Sequence, residues 1–214
     1  MTIRRLPVYL AIDDSGSMRG EPIQAVNVGL KAMLTALRQD PYALESVWLS
    51  IITFDVAVKE LLPLTPLEQV VMPEIVVPGA GATMMGEALQ LLIAGVDRDV
   101  KRSTANAKGD WRPMLFLLTD GSPSDLQTYR EMIPKVKSRN FGSIVACAAG
   151  PKAKTEFLTE LTDKVVKLDT MDSSAFSNFF KWVSASVSAG SSSAGVTAAS
   201  NSLPPPPPEV QLVL

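Results

Sequence analysis

Short apolar, β-rich runs alternate with segments of helical period along most of this chain, and that alternation constrains the fold more than any other feature. "PVYLAI" (7–12) is continuously apolar, the signature of a strand buried on both faces. Pro22 opens a helical stretch reaching about Gln39, with Val26, Leu30, Met33, Leu34 and Leu37 at helical spacing. "SVWLSIITF" (46–54) reads as a second strand and "AVKELLPLTP" (57–66) as a third. The link between them, through Asp55, is so short that the third strand must return antiparallel. A loop punctuated by proline and glycine (72–83) precedes a helix over 84–96, with Ala88, Leu91, Leu92 and Val96 on one face.

The polar stretch 97–111 reads as a solvated loop, and "PMLFLLTD" (113–120) as the fourth strand. Residues 125–139 carry a helical stripe of Leu126, Tyr129, Ile133 and Val136, and "SIVACAAG" (143–150) is the fifth strand. A short helix (155–162), a sixth strand (164–169) and a final helix (173–188) with Phe176, Phe179, Phe180 and Val183 inward complete the order. Such an order predicts an α/β fold. The sheet is doubly wound, mostly parallel and six-stranded, with one antiparallel edge strand and helices on both faces, in the Rossmann-like manner.

Residues 1–189 form one domain in this reading, large enough to bury roughly 70% of its unfolded surface without staples. From 190 to 214 the composition changes to a flexible Ser/Ala-rich stretch, then "PPPPP" (204–208) and "EVQLVL". The polyproline is a stiff rod. The tail reads as a linker or as a tethered ligand whose end adds a strand to a sheet edge. The net charge of −2 argues against bulk nucleic-acid or anionic-membrane binding. The single cysteine, Cys147, lies in an apolar run and reads as a buried hydrophobe. Trp48, Trp111 and Trp182 read as packing residues. The apolar N-terminal run is too short for a signal peptide, so a cytoplasmic protein is expected.

The chain has no histidine. Ser-His-Asp and Cys-His nucleophiles cannot form, and neither can histidine-rich or thiolate zinc sites. A metal here must be held by oxygen, which favours Mg²⁺, with Mn²⁺ and Ca²⁺ the other hard-ligand candidates. In open α/β sheets ligands sit beyond the carboxyl ends of the strands. The first strand ends in "DDSGS" (13–17), the fourth in "TDGS" (119–122), and the loop "GAGAT" brings Thr83 to the same edge. Asp13, Ser15, Ser17, Thr83 and Asp120 are hard oxygen donors. Alternate spacing sends Asp13, Ser15 and Ser17 to one side and turns Asp14 away. A cation with two carboxylates and several neutral hydroxyls remains under-neutralised, so it seeks an external carboxylate.

These motifs resemble the metal-ion-dependent adhesion site of von Willebrand factor type A (VWA) domains: "D-x-S-x-S" at 13–17, the threonine of "GAGAT" and the aspartate of "LLTDG". "LAIDDSGSMRGEPIQAVNVGLKAML", "GATMMGEAL" and "LLTDGSPSD" are most similar to the bacterial TerY-type proteins of tellurium-resistance loci. The resemblance implies that Asp13, Ser15, Ser17 and Thr83 coordinate the metal and that Asp120 does so directly or through water. It implies Asp14 is a solvent-facing bystander. It further implies a non-enzymatic interaction module in a stress-response system, with partners such as protein kinases and PP2C-type phosphatases.

Met18, Arg19, Met84, Met85 and Pro123 surround the motifs. They read either as a partner-binding rim, with Arg19 clamping a carboxylate, or, for the methionines, as core tucked under the loops. The rim reading is the one carried forward. The alternative function is a Mg²⁺-dependent phosphohydrolase of the D-x-D-x-T kind. Its second aspartate is replaced here by Ser15, which removes the general acid, and no GxxxxGK[ST] loop is present.

Overall fold

The computed structural model describes residues 4–79, 81–192 and 203–213. Strand β1 (Leu6–Asp13) is buried along its whole length. It is flanked by β2 (Val47–Phe54) and β4 (Met114–Thr119), both parallel to it. Because successive side chains point to opposite faces, β1 feeds two cores. Leu6, Val8, Leu10 and Ile12 enter one, while Tyr9 and Ala11 enter the other.

The first core is covered by α1 (Glu21–Gln39), α2 (Pro41–Ser46) and α6 (Ser173–Ser192). The second is covered by α3 (Met85–Asp99), α4 (Leu126–Lys137) and α5 (Thr155–Leu161). The expected α/β sheet with helices on both faces is therefore present. Its order is β3-β2-β1-β4-β5-β6-β7, with β3 (Val58–Pro66) antiparallel to β2, and β5 (Ser143–Ala149) and β6 (Val165–Leu168) parallel to their inner neighbours. The strand order reverses between β1 and β4, which opens the crevice that the sequence motifs line.

Two elements differ from expectation. Helix α2 was not legible by period because it has only six residues. Its signal was local: Asp40 accepts the N–H groups of Tyr42 and Ala43, and Pro41 sits in the first turn. The second difference is the tail. The sheet has seven strands, not six, because β7 (Gln211–Val213) pairs antiparallel with β6. Helix α6 runs on to Ser192, and residues 203–213 lie against the domain rather than forming a free tail. The Ser/Ala-rich part, 193–202, lies outside the described residues. Cys147 is fully buried, as expected, and burial pushes its thiol well above the usual range.

Close packing sets the helix positions. At Gly29 of α1 an added Cβ would fall 2.3 Å from the Phe180 ring of α6. At Gly86 of α3 it would fall 2.4 Å from the backbone nitrogen of Tyr129 in α4. Small residues at both positions let each helix pair approach.

Candidate metal centre

β1 delivers Asp13 to the crevice fully buried, and the chain then turns through a single 3₁₀ turn at Gly16–Met18. Gly20, at φ 87°, bends it into α1, a conformation that a residue with a Cβ rarely adopts. Asp13 Oδ1 accepts the Ser15 N–H at 2.9 Å, and its Oδ2 accepts the Thr119 hydroxyl at 2.6 Å. The Ser15 and Ser17 hydroxyls lie 3.2 Å apart, and Ser17 Oγ donates to Asp120 Oδ1 at 2.9 Å. A continuous path of oxygens thus joins the tips of β1 and β4.

Thr83 closes the cluster from the α3 side. Its hydroxyl lies beside Gly121, where an added Cβ would be 3.4 Å from Oγ1. The structure therefore brings Asp13, Ser15, Ser17, Thr83 and Asp120 to one edge of the sheet. Asp13, Ser15, Thr83 and Asp120 are buried there, while Ser17 is exposed.

The loop carrying Thr83 is held by the loop that follows β4. Thr83 N–H donates to Ser124 Oγ, and Ser124 N–H donates to the Thr83 carbonyl. Asp125 immediately precedes α4 but does not cap it. Its carboxylate accepts the N–H groups of Gly86 and Glu87, in the first turn of α3, at 3.0 and 2.8 Å. The missing Cβ at Gly86 leaves room for that carboxylate, which an added one would meet at 2.6 Å.

Burial dominates the electrostatics of the cluster. Burial pushes the Asp13 carboxyl up to about 6 against the opposing hydrogen bonds from Ser15 and Thr119, and the Asp120 charge adds to the rise. Asp120 is also raised, first by burial, with the Ser17 hydrogen bond and the Lys152 charge pulling the other way. The donor set suits a hard divalent ion: carboxylates and hydroxyls, with no nitrogen or sulfur. Among the described residues no cluster of three or more histidine, cysteine, aspartate or glutamate side chains exists, so a metal at this place depends on the hydroxyls.

Several surrounding residues depart from expectation. Met18 and Met85 do not form a rim. Both are fully buried, Met18 in the α1/α6 core and Met85 in the α3/α4 core, because the turn and the start of α3 point them inward. Pro123 is buried as well. Of the rim set only Arg19 is exposed, and Met84 is half-buried. Asp14 is turned away from the cluster as expected, but it is no solvent-facing bystander. It is 4% exposed, its Oδ1 has no hydrogen-bond partner, and burial, then the Asp55 charge, push it up to about 6.

Sequence reasoning missed four neighbours: Thr119 as an Asp13 partner, Ser124 and Asp125 as the clamp, and Lys152 as the cation acting on Asp120. Ser124 and Asp125 stood inside the quoted "LLTDGSPSD", but their partners are some forty residues away. Val56, 58% exposed and packed under Gly81, was missed too.

A doubly wound α/β domain with a strand-tip cluster of carboxylates and hydroxyls is the architecture of a metal-dependent adhesion module. The chain belongs to the von Willebrand factor type A domain family, which matches residues 8–181. Domains of this family generally mediate protein–protein interactions through a divalent metal at that site.

Solved structures share the fold at low identity. Pilus adhesin SpaC from Lactobacillus rhamnosus GG, in its open conformation, superposes with a TM-score of 0.67 at 14% identity, covering 89% of this chain and 31% of that one. A von Willebrand factor type A protein from Catenulispora acidiphila gives 0.61 at 18%, covering 86% and 43%. Proximal thread matrix protein 1 from the mussel byssus, described with a zinc-occupied MIDAS motif, gives 0.60 at 17%, covering 86% and 48%. The chain spans about half or less of these proteins. Among curated proteins none matches it. Among the described residues no helix is long and apolar enough to cross a membrane.

Proposed function

We propose that Asp13, Ser15, Ser17, Thr83 and Asp120 hold a divalent cation, Mg²⁺ first, and that the cation's open position takes an aspartate or glutamate of a partner protein. The chain is then a non-enzymatic interaction module. One observation carries this reading. Two buried carboxylates, both pushed up by burial, are joined by hydroxyls into a single oxygen cluster at the β1/β4 crevice. A metal there neutralises charge that the hydroxyls and Lys152 offset only in part, and a partner carboxylate completes the neutralisation. Arg19, exposed, and Lys152, whose charge reaches Asp120, favour an anionic partner.

The phosphohydrolase alternative needs a second aspartate as general acid two residues after the first, and Ser15 stands there instead. A bacterial tellurite or stress-response setting and kinase or PP2C-type phosphatase partners belong to this proposal on the strength of the motif resemblance to TerY-type proteins alone, and cytoplasmic residence on the short apolar N-terminal run.

The test is affinity capture from cytosol with wild type and Asp120→Ala, each in Mg²⁺ and in EDTA, beside Mg²⁺ calorimetry on both proteins. Proteins retained only by wild type in Mg²⁺ support the reading. Capture indifferent to metal and to Asp120 overturns it. So does Mg²⁺-dependent turnover of a generic phosphate ester that is lost in Asp13→Ala.

A further inference from the structure

Residues 203–213 straddle the outer edge of the sheet. Leu203 packs against the α1/α6 core, and the Pro204 carbonyl accepts the Trp182 indole N–H at 2.8 Å. A turn closed by Val210 N–H to the Pro207 carbonyl then buries Val210 to 1% exposure in the same core. Gln211–Val213 pairs with Lys167–Val165, Gln211 Nε2 donates to Asp169 Oδ2 at 2.8 Å, and Val213 packs against the opposite core.

The segment is built like a bound peptide. Its prolines offer carbonyls and no N–H, so that part cannot be zipped into a sheet, and Trp182 takes one of those carbonyls. Its ladder spans three residue pairs, against eight between β1 and β2. A polyproline stretch set against an aromatic donor, followed by strand addition to an open edge, combines two known modes of peptide recognition. Five consecutive prolines come pre-extended, so docking them costs little conformational entropy.

We propose that the groove between α6 and the β6 edge is a peptide-docking site for a proline-rich segment running into a short apolar strand, and that residues 203–213 are its built-in occupant, displaced by a partner protein of the same chemistry. The occupant defines what the groove reads. The Trp182 indole reads a carbonyl of the extended run, the β6 backbone reads the strand, and the pocket filled by Val210 takes an aliphatic side chain. Leu212, 52% exposed, marks a position that is not read. A tethered occupant acts at a local concentration on the order of millimolar, so a free competitor must bind more tightly or arrive at high local concentration. β6 lies three strands from β1, about 14 Å at the usual spacing. This site therefore stands or falls independently of the metal centre.

The probe is a fluorescein-labelled synthetic peptide of residues 203–213, titrated by anisotropy with the full chain and with the full chain carrying Val210→Asp and Val213→Asp. The double variant, with its own segment disabled, is expected to bind the peptide saturably and at least tenfold more tightly than wild type. Trp182→Phe added to it should weaken binding at least fivefold, and EDTA should change nothing. A folded double variant that does not bind, or that binds no better than wild type, overturns the proposal. Amide hydrogen exchange on wild type decides the matter if the double variant does not fold. The β6–β7 ladder amides are expected to exchange at least a hundredfold faster than those of the β1–β4 ladder. Equal rates would make the segment an integral strand that leaves only on global unfolding, and would sink the idea.

Discussion

Ser124 and Thr83 hold each other through two reciprocal hydrogen bonds, both 2.9 Å long: Thr83 N–H to Ser124 Oγ, and Ser124 N–H to the Thr83 carbonyl. The loop that carries Asp120 and the loop that carries Thr83 are therefore one unit. Ser124→Ala leaves the fold intact but frees the Thr83 amide, at a loss of about 1 kcal/mol for a single net hydrogen bond. Mg²⁺ or Mn²⁺ affinity, measured by calorimetry, is expected to fall roughly fivefold, with Ser124→Thr restoring it. Unchanged affinity would mean that Thr83 needs no support from Ser124.

Asp125 serves as a helix cap supplied from outside its helix. Its carboxylate receives the Gly86 and Glu87 amides of α3 across the crevice. Asp125→Ala is expected to destabilise the domain by about 1–2 kcal/mol, and Asp125→Asn by less, since the amide keeps one acceptor. Thermal melts by circular dichroism check the order of the three proteins.

Gly29→Ala and Gly86→Ala should differ in severity. At Gly29 the obstacle is the Phe180 ring, which can shift within the core, and the loss is expected at about 1–2 kcal/mol. At Gly86 the obstacles include the backbone of Thr128 and Tyr129, so α3 and α4 must separate, and about 3 kcal/mol or more is expected. Urea titrations with unchanged slopes would report these as stability differences.

In EDTA the carboxylate cluster works against the fold. Asp13 is raised from 3.8 to about 6, so between these values the folded state binds more protons than the unfolded one. Stability is expected to fall as pH rises from about 4 to about 6, by up to ~1.4 kcal/mol per pH unit for each proton. Asp13→Asn removes this charge and should make the dependence in EDTA shallower, leaving the part due to Asp14 and Asp120, while abolishing Mg²⁺ binding. Metal affinity in wild type should weaken as pH drops below about 6, because the ion then competes with the proton. Denaturant midpoints and Mg²⁺ titrations across pH 4.5–7.5 test both trends.

The sequence by itself determined the order of the main strands and helices, the mostly parallel sheet and which five oxygen-bearing side chains share its edge, because each of these is written in local period or local spacing; the six-residue α2 and the added strand β7 were not. "PVYLAI" is apolar throughout because β1 is covered on both faces, and "DDSGS" follows directly because the strand tip opens into the crevice. Tertiary structure alone decided what the neighbouring side chains do. Met18 and Met85 look like rim residues in a motif, yet each faces a core that assembles only when distant helices pack. Asp14 has the composition of a surface residue but is enclosed with Asp55 and Thr53 from β2 and the turn after it. Asp125 stands directly before α4, yet the fold gives its carboxylate to the first turn of α3. The last segment shows the same limit. Its prolines and polar linker signal a tail, and only the unfilled edge of β6 and the Trp182 indole N–H, neither visible in a linear pattern, give residues 203–213 a place to bind.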